Sequence, residues 1–134
     1  MTDPVRRLLV ARGCPEPMVA AGLPGLVSLW SEIVATIESG YPLTLDDYLN
    51  DMDLRDLVAA AIAVAGPDSQ AEVQERLTSV DARFLAQTVP SPCLWGDDIA
   101  EEEGLGAERE WWYFRRPTRP GDALAEDLQT WGLT

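Results

Sequence analysis

The chain has 134 residues with neither Lys nor His, and its 23 Asp and Glu against ten Arg give a formal net charge of −13. Without Lys and His it cannot form a Ser-His-Asp or Cys-His nucleophilic site, a His-ligated metal centre or a Schiff-base lysine. The acidic excess disfavours nucleic acid and anionic membranes as partners, because their phosphates require cations for binding.

Hydrophobic residues make up 46% of the chain, a proportion typical of a packed core. A chain of this length suits one domain that buries roughly two thirds of its unfolded surface. Apolar runs such as 57–66 are shorter than the roughly 20 residues that span a bilayer, and no signal-peptide pattern opens the chain. We therefore expect one cytoplasmic domain over residues 1–134, with a helical core at 3–89 and an irregular extension with a last helix at 90–134.

Pro and Gly divide the first part of the chain into helical segments. Asp3 followed by Pro4 is typical of a helix start, and Gly13 ends this first short helix. A second short helix is predicted up to Gly22, and Pro24 then opens a longer one. The apolar residues that recur at helical spacing in the first and third of these helices are Val5, Leu8, Leu9, Leu26, Trp30, Ile33 and Ile37.

Residues 44–65 also have helical character, but their apolar pattern changes phase. Thr44 and Asp47 form a capping-box pattern at the start. Apolar residues of the first half fall on the opposite side of the helix from those of the second half, and a straight helix cannot bury both against one core. We predict a break within 50–53. If the helix is instead continuous, the apolar side chains of 45–52 face something else, such as a partner.

The next helix is predicted from a second capping-box pattern, Ser69 with Glu72, and it ends before Pro90. It shows the clearest amphipathic repeat in the chain. The apolar residues of this repeat are Val73, Leu77, Val80 and Phe84.

After Pro90 the character of the chain changes. A brief acidic helix starts at Asp97, and a last helix runs from Asp122 to Trp131. Between them, 110–116 has strand composition and is predicted to pair with 93–96 in a short two-stranded ribbon. The sequence thus predicts a mainly α fold, a helical bundle of five to six helices with a short β ribbon.

The densest acidic cluster consists of Asp46, Asp47, Asp51, Asp53 and Asp56, and its weak candidates for Mg²⁺ or Ca²⁺ ligands are Asp47, Asp51 and Asp53. The spacing does not match an EF-hand loop, which would need Gly at the position of Asp56. A solvated face is the simpler interpretation, with Asp51 and Arg55 as an i, i+4 pair. We therefore expect no metal and no other cofactor, with Mg²⁺ as the alternative.

The chain has two Cys, too few for a disulfide framework. Cys14 is the weak candidate for a reactive thiol, because a thiol at a helix N-terminus has a lowered pKa. No His or Lys exists to assist it, so burial at a helix junction is the favoured interpretation. Cys93 is interpreted as a packing residue.

The most unusual segment is a run of four aromatic residues followed by two Arg. Not all four rings can point inward on a helix or a strand, and Trp, Tyr and Arg are frequent in interface hot spots. Two interpretations stay open: the segment anchors a partner, or its rings cover the helical core while the Arg pair with the acidic middle of the chain. Stacking of single-stranded nucleic acid is disfavoured by the net charge. The candidate partner-binding residues are Trp95, Trp111, Trp112, Tyr113, Arg115 and Arg116.

These features favour recognition over catalysis. We expect a small acidic, non-enzymatic binding protein, either an adaptor or, by analogy of bulk properties, one like immunity proteins and antitoxins. Its partner would be a protein, preferably a basic one, since an acidic surface steers basic partners. Nucleic acid and membranes are not expected partners, and the chain would be a monomer or homodimer. The alternative is a Mg²⁺-carboxylate-dependent all-α hydrolase of a phosphorylated small molecule, which requires acids that converge in one cleft.

Overall fold

Six α-helices and one two-stranded ribbon form the part of the chain that the computed structural model describes, residues 3–134. This confirms the predicted mainly α class with a short β ribbon. Residues 1 and 2 of the predicted domain lie outside the described residues. The helices are α1 (Pro4–Ala11), α2 (Glu16–Glu38), α3 (Leu45–Val64), α4 (Pro67–Ala86), α5 (Asp97–Glu103) and α6 (Asp122–Thr130), and the strands are β1 (Thr88–Pro90) and β2 (Arg115–Pro117).

The N-terminal helices follow the predicted punctuation. The Asp3 carboxylate accepts a hydrogen bond from the backbone N–H of Val5 at 2.9 Å and caps α1, with Pro4 at the first helical position. The two helices predicted on either side of Gly22 are present, but they follow each other without a loop and are numbered together as α2, which is kinked at that residue. Gly22 has φ 62° and ψ −154°, a combination that essentially only glycine adopts. The predicted boundary is therefore a kink rather than a loop.

Helix α3 is continuous, so the predicted break within 50–53 is wrong. Two parts of the chain cover its two faces. Besides packing against α1 and α2, it contacts α6 and a 3₁₀ turn at Trp111–Phe114 that precedes β2. The Tyr48 hydroxyl donates to the carbonyl of Arg115 at 3.3 Å, and the Leu45 N–H donates to the Asp127 carboxylate at 3.0 Å. The C-terminal extension thus covers the face that the sequence left without a partner.

Helix α4 starts earlier than its predicted capping box. It begins at Pro67 after the N-cap Gly66, so the Ser69 and Glu72 cap is wrong. Pro favours the first helical position because its missing N–H has no intrahelical partner there. The amphipathic repeat is confirmed, because all four of its apolar residues are buried. They are Val73, Leu77, Val80 and Phe84.

The ribbon forms a few residues away from its predicted position. Strands β1 and β2 are antiparallel, with Val89 opposite Arg116. The aromatic run does not extend into the strand because it winds into the 3₁₀ turn. The Leu94 N–H still donates to the Tyr113 carbonyl at 2.9 Å, so the predicted neighbours meet through one bond outside the ladder.

Helix α2 is the longest helix of the described residues. By length and composition alone, it is long and apolar enough to cross a membrane. The shorter apolar runs in the sequence did not predict such a helix. Helix α2 packs against α1, α3 and α4. Leu26, Val27, Trp30 and Val34 on this helix are fully buried in the core.

Candidate functional site

The aromatic run contributes mainly to the core. The 3₁₀ turn buries Trp112 and Tyr113, which are 3% and 4% exposed, and leaves Trp111 and Phe114 half-buried. Trp111 packs on the ring of Phe84 at 5.8 Å between centroids. The ring of Trp112 is therefore not available as a contact surface for a partner, and the ring of Tyr113 is nearly covered.

Arg55 lies at the centre of a buried polar network. Its guanidinium carbon lies 5.2 Å and 4.8 Å from the ring centroids of Trp111 and Trp112. Its Nε and Nη2 donate to the two Asp81 carboxylate oxygens at 3.0 and 2.9 Å, and the Trp30 indole N–H donates to the same carboxylate at 2.9 Å. The network connects α2, α3, α4 and the 3₁₀ turn.

The predicted pairing of Asp51 with Arg55 is wrong. Asp51 instead accepts a hydrogen bond from the Tyr41 hydroxyl, while Arg55 pairs with Asp81 on the neighbouring helix. Helical spacing identifies only local partners. Sequence spacing does not identify an ion-pair partner on a different helix.

Two Arg residues that follow the aromatic run, Arg115 and Arg119, donate to backbone carbonyls and not to the acidic side chains with which one of the two interpretations paired them. Arg115 Nε donates to the Thr88 hydroxyl at 2.8 Å, and its Nη2 donates to the Thr88 carbonyl at 2.9 Å. Arg119 donates to the carbonyl of Glu38. Arg115 Nη2 also donates to the Leu85 carbonyl at 3.4 Å, and Leu85 and Glu38 lie in the last turns of α4 and α2, where unpaired acceptors and the helix dipole favour a cation. Arg116 is half-buried in β2.

The acidic residues considered as metal ligands do not converge. Asp47 completes the predicted capping box with Thr44, and Asp53 accepts a hydrogen bond from the Tyr113 hydroxyl. Asp51 and Asp53 are two positions apart on α3 and so point to nearly opposite sides. Within residues 3–134, no three His, Cys, Asp or Glu side chains are grouped to hold a metal ion.

The two thiols occupy different surroundings. Cys14 is half-buried between α1 and α2, and its N–H donates to the Leu9 carbonyl at 3.0 Å. Cys93 is buried, and this burial raises the pKa of its thiol. The protonated form of Cys93 is therefore favoured, which suits a packing residue.

A surface hollow lies beside Trp95, between α3, α5 and the 3₁₀ turn. We call it the Trp95 hollow, and its volume is about 380 Å³. Trp95 and Ile99 are 37% and 38% exposed at this surface. None of the described residues that line it is a cation. The lining residues are Asp53, Asp56, Trp95, Ile99, Glu103, Leu105 and Tyr113.

The electrostatics of the Trp95 hollow favour a positive occupant. Burial raises the pKa of Asp56, and the negative charges of Asp53 and Glu110 raise it further, against the opposing effect of Arg12 and Arg55. A cation that entered the hollow would stabilise the ionised Asp56 carboxylate. Asp53 and Asp56 belong to the acidic cluster recognised in the sequence and Trp95 to the candidate partner-binding residues, but no sequence signal places the three at one surface.

A second hollow adjoins the first. We call it the Trp131 hollow; its volume is about 250 Å³, and Trp95 lines both hollows. Trp131 is 71% exposed at its edge, while Leu133 is buried. Sequence analysis used Trp131 only as the end of the last helix, because nothing in its local sequence marks a surface. The lining residues are Leu45, Asp46, Leu49, Leu94, Trp95, Gly96, Trp131 and Leu133.

Known proteins give no indication of the function of this chain. No protein-family model matches the chain, and no curated protein or solved structure matches it either. The fold and the two hollows define a mainly α protein with an acidic surface that exposes aromatic rings.

Proposed function

We propose that this protein is a small acidic, non-enzymatic binding protein that holds a basic protein partner at the Trp95 hollow. One observation carries the proposal: Asp53, Asp56 and Glu103 line a hollow whose wall is the exposed ring of Trp95. Carboxylates form charge-assisted hydrogen bonds with Arg and Lys, and an indole face attracts the same cations. An Arg or Lys side chain of the partner fits both features.

The charge of the whole chain supports the same kind of partner. The net charge is −13, and the ion pairs within residues 3–134 involve Asp81, Glu38 and Glu110 alone. The other carboxylates keep a negative field that speeds the approach of a basic protein. Such a surface suits an adaptor, and it equally suits an inhibitor that covers a basic active site, as immunity proteins and antitoxins do.

The hydrolase alternative rests on the same hollow. Asp53 and Asp56 from α3 and Glu103 from α5 all line it, and the pKa of Asp56 is raised, although no three such side chains within residues 3–134 are grouped to hold a metal ion. A Mg²⁺-carboxylate enzyme would use such acids as oxygen ligands. Calorimetric titration with Mg²⁺ separates the two proposals: millimolar or tighter binding that Asp56→Asn abolishes favours the hydrolase, and absence of heat favours the binding protein.

The test of the binding proposal compares two variants with equal loss of charge. Asp53→Asn with Asp56→Asn alters the Trp95 hollow, whereas Glu72→Gln with Glu75→Gln alters exposed carboxylates on α4. The probe is a fluorescent nona-arginine peptide, titrated by anisotropy at physiological salt. We expect the hollow variant to bind about tenfold more weakly, since two solvent-accessible ion pairs are lost, and the control to bind within about twofold of the parent.

Two results would contradict the proposal. Equal weakening in both variants would mean that the peptide responds to bulk charge and not to the hollow. Unchanged binding by Trp95→Ala would mean that the indole face takes no part, because a cation–π contact is lost in this variant.

A further inference from the structure

Trp95 forms a wall shared by two hollows of different character. On one side lie the carboxylates of the Trp95 hollow. On the other side, the Trp131 hollow is lined mainly by Leu side chains, and Asp46 is the charged residue among its described lining. Trp131 is the most exposed large hydrophobic residue of the described chain. A clustered apolar surface with an exposed aromatic ring is typical of interaction sites.

We propose that the basic partner inserts two side chains that straddle Trp95. Its Arg or Lys enters the Trp95 hollow, and a bulky apolar side chain close to it enters the Trp131 hollow. This inference rests on the proposed function and extends it by a second specificity position. At about 250 Å³ the Trp131 hollow is smaller than the roughly 300–1,000 Å³ of small-molecule sites, which suits one side chain.

Charge decides between this occupant and a second copy of the chain. A second copy would place another net charge of −13 against the same acidic surface, and like charges oppose such contact. A partner segment with a cation beside an apolar residue complements both hollows at once. The partner is therefore recognised by a two-residue motif rather than by net charge alone.

The experiment starts by panning a random-peptide display library against the intact protein. We expect the enriched peptides to share an Arg or Lys and a bulky apolar residue at constant spacing. The consensus peptide is then synthesised together with two forms in which either the cation or the apolar residue is replaced by Ala. Each is titrated by anisotropy against the parent protein, Trp131→Ala and the Asp53→Asn, Asp56→Asn double variant.

The expected pattern is a coupling between matched positions. Trp131→Ala should weaken the consensus peptide about tenfold, the order expected for losing the burial of one apolar side chain. It should change the peptide that lacks the apolar residue less than about twofold, because the two changes remove one shared contact. Val10→Ala, which also removes an exposed apolar side chain, is the control and should leave binding unchanged.

The outcomes distinguish this inference from the proposed function. A consensus with a cation but no apolar position, or no coupling with Trp131, overturns the inference and leaves the proposed function standing. A consensus with an apolar residue but no cation overturns the proposed function. Failure to enrich peptides that depend on either hollow overturns both. A dimer, measured by light scattering and lost in Trp131→Ala, would assign the Trp131 hollow to a second copy and overturn the inference.

Discussion

Arg55 shows how one buried cation can organise a chain dominated by acids. Its guanidinium is paired with Asp81 and stacked on Trp111 and Trp112, and the side chain is almost fully buried. Removing one member of a buried ion pair is costly, because the remaining charge loses its partner while it stays away from water. The stacked rings also lose their packing contact.

We therefore expect Arg55→Met to lower the free energy of unfolding by about 3 kcal/mol, measured by urea denaturation. Adding Asp81→Asn should recover part of this loss, because it removes the unpaired charge and leaves an acceptor for the Trp30 indole. Arg76→Met is the control, since Arg76 is exposed on α4, and its effect should stay within about 0.5 kcal/mol. A stability of Arg55→Met equal to that of the parent would show that the network contributes little.

Whereas Arg55 stabilises the fold, the ionised carboxylate of Asp56 destabilises it. Its pKa in the folded state is raised by burial, so the folded protein binds the proton more tightly than the unfolded chain. Stability is therefore lost as the pH rises from the unfolded pKa through the raised folded pKa, and the loss is complete above it. At neutral pH the ionised Asp56 carboxylate destabilises the fold.

Asp56→Asn should therefore stabilise the protein at neutral pH and weaken binding of nona-arginine. The gain should vanish near pH 3, about where the unfolded Asp is also protonated. Urea denaturation at both pH values measures this, with Glu75→Gln, an exposed carboxylate on α4, as the control. A variant that is less stable at neutral pH would disprove the assignment of Asp56 as a binding residue held at the expense of stability.

At the scale of elements, local sequence signals predicted most helices. The course of α3 depends instead on contacts with distant parts of the chain. The Asp3 cap and the repeat from Val73 to Phe84 are local, and both are present in the structure. The phase change along α3 has two explanations, a break or a second covering element, and periodicity cannot separate them. Here the C-terminal extension supplies the cover.

The residues that line the two hollows were harder to predict from the sequence than the helices. Trp95 and Asp53 were named from composition and clustering, yet nothing showed that they line one hollow. Asp56 and Trp131 reach this surface through the packing of α3, α5 and the C-terminus, so their role depends on contacts between distant parts of the sequence. The unusual composition of the aromatic run suggested a binding surface, but Trp112 is buried in the core.

The kink in α2 offers a direct test of backbone strain. In Gly22→Ala the nearest atom to the new Cβ, on Pro24, is 4.0 Å away, so the side chain has enough space. The cost of the substitution comes from the backbone, because φ 62° is unfavourable for Ala. We expect a loss of about 1–3 kcal/mol in the free energy of unfolding. Gly106→Ala, in open surroundings without a positive φ, is the control and should stay close to the parent. Equal stability of both variants would mean that α2 straightens without cost.

At the scale of the whole molecule, the extension at 90–134 completes the core at 3–89. It contacts Tyr48 on α3 and supplies the rings that stack on Arg55. Neither part buries its apolar surface alone. We therefore expect the predicted single domain to unfold as one cooperative unit.

A chain truncated after Gln87 tests this expectation. It should lose near-UV circular dichroism and show no cooperative urea transition, because the buried face of α3 becomes exposed. The intact chain should give coincident transitions by far-UV circular dichroism and by Trp fluorescence. A truncated chain that still unfolds cooperatively would divide the protein into a core domain and an appendage.

The distribution of the Trp residues gives the protein an intrinsic optical readout. Trp131 and Trp95 are 71% and 37% exposed at the two hollows, whereas Trp30 and Trp112 are 0% and 3% exposed. Carboxylates near the exposed indoles attract a cationic quencher and repel an anionic one. Relative to its effect on free N-acetyltryptophanamide, caesium should therefore quench the emission more strongly than iodide does, and a bound partner should suppress that difference. The emission of the buried indoles would report unfolding in the same sample, without any label.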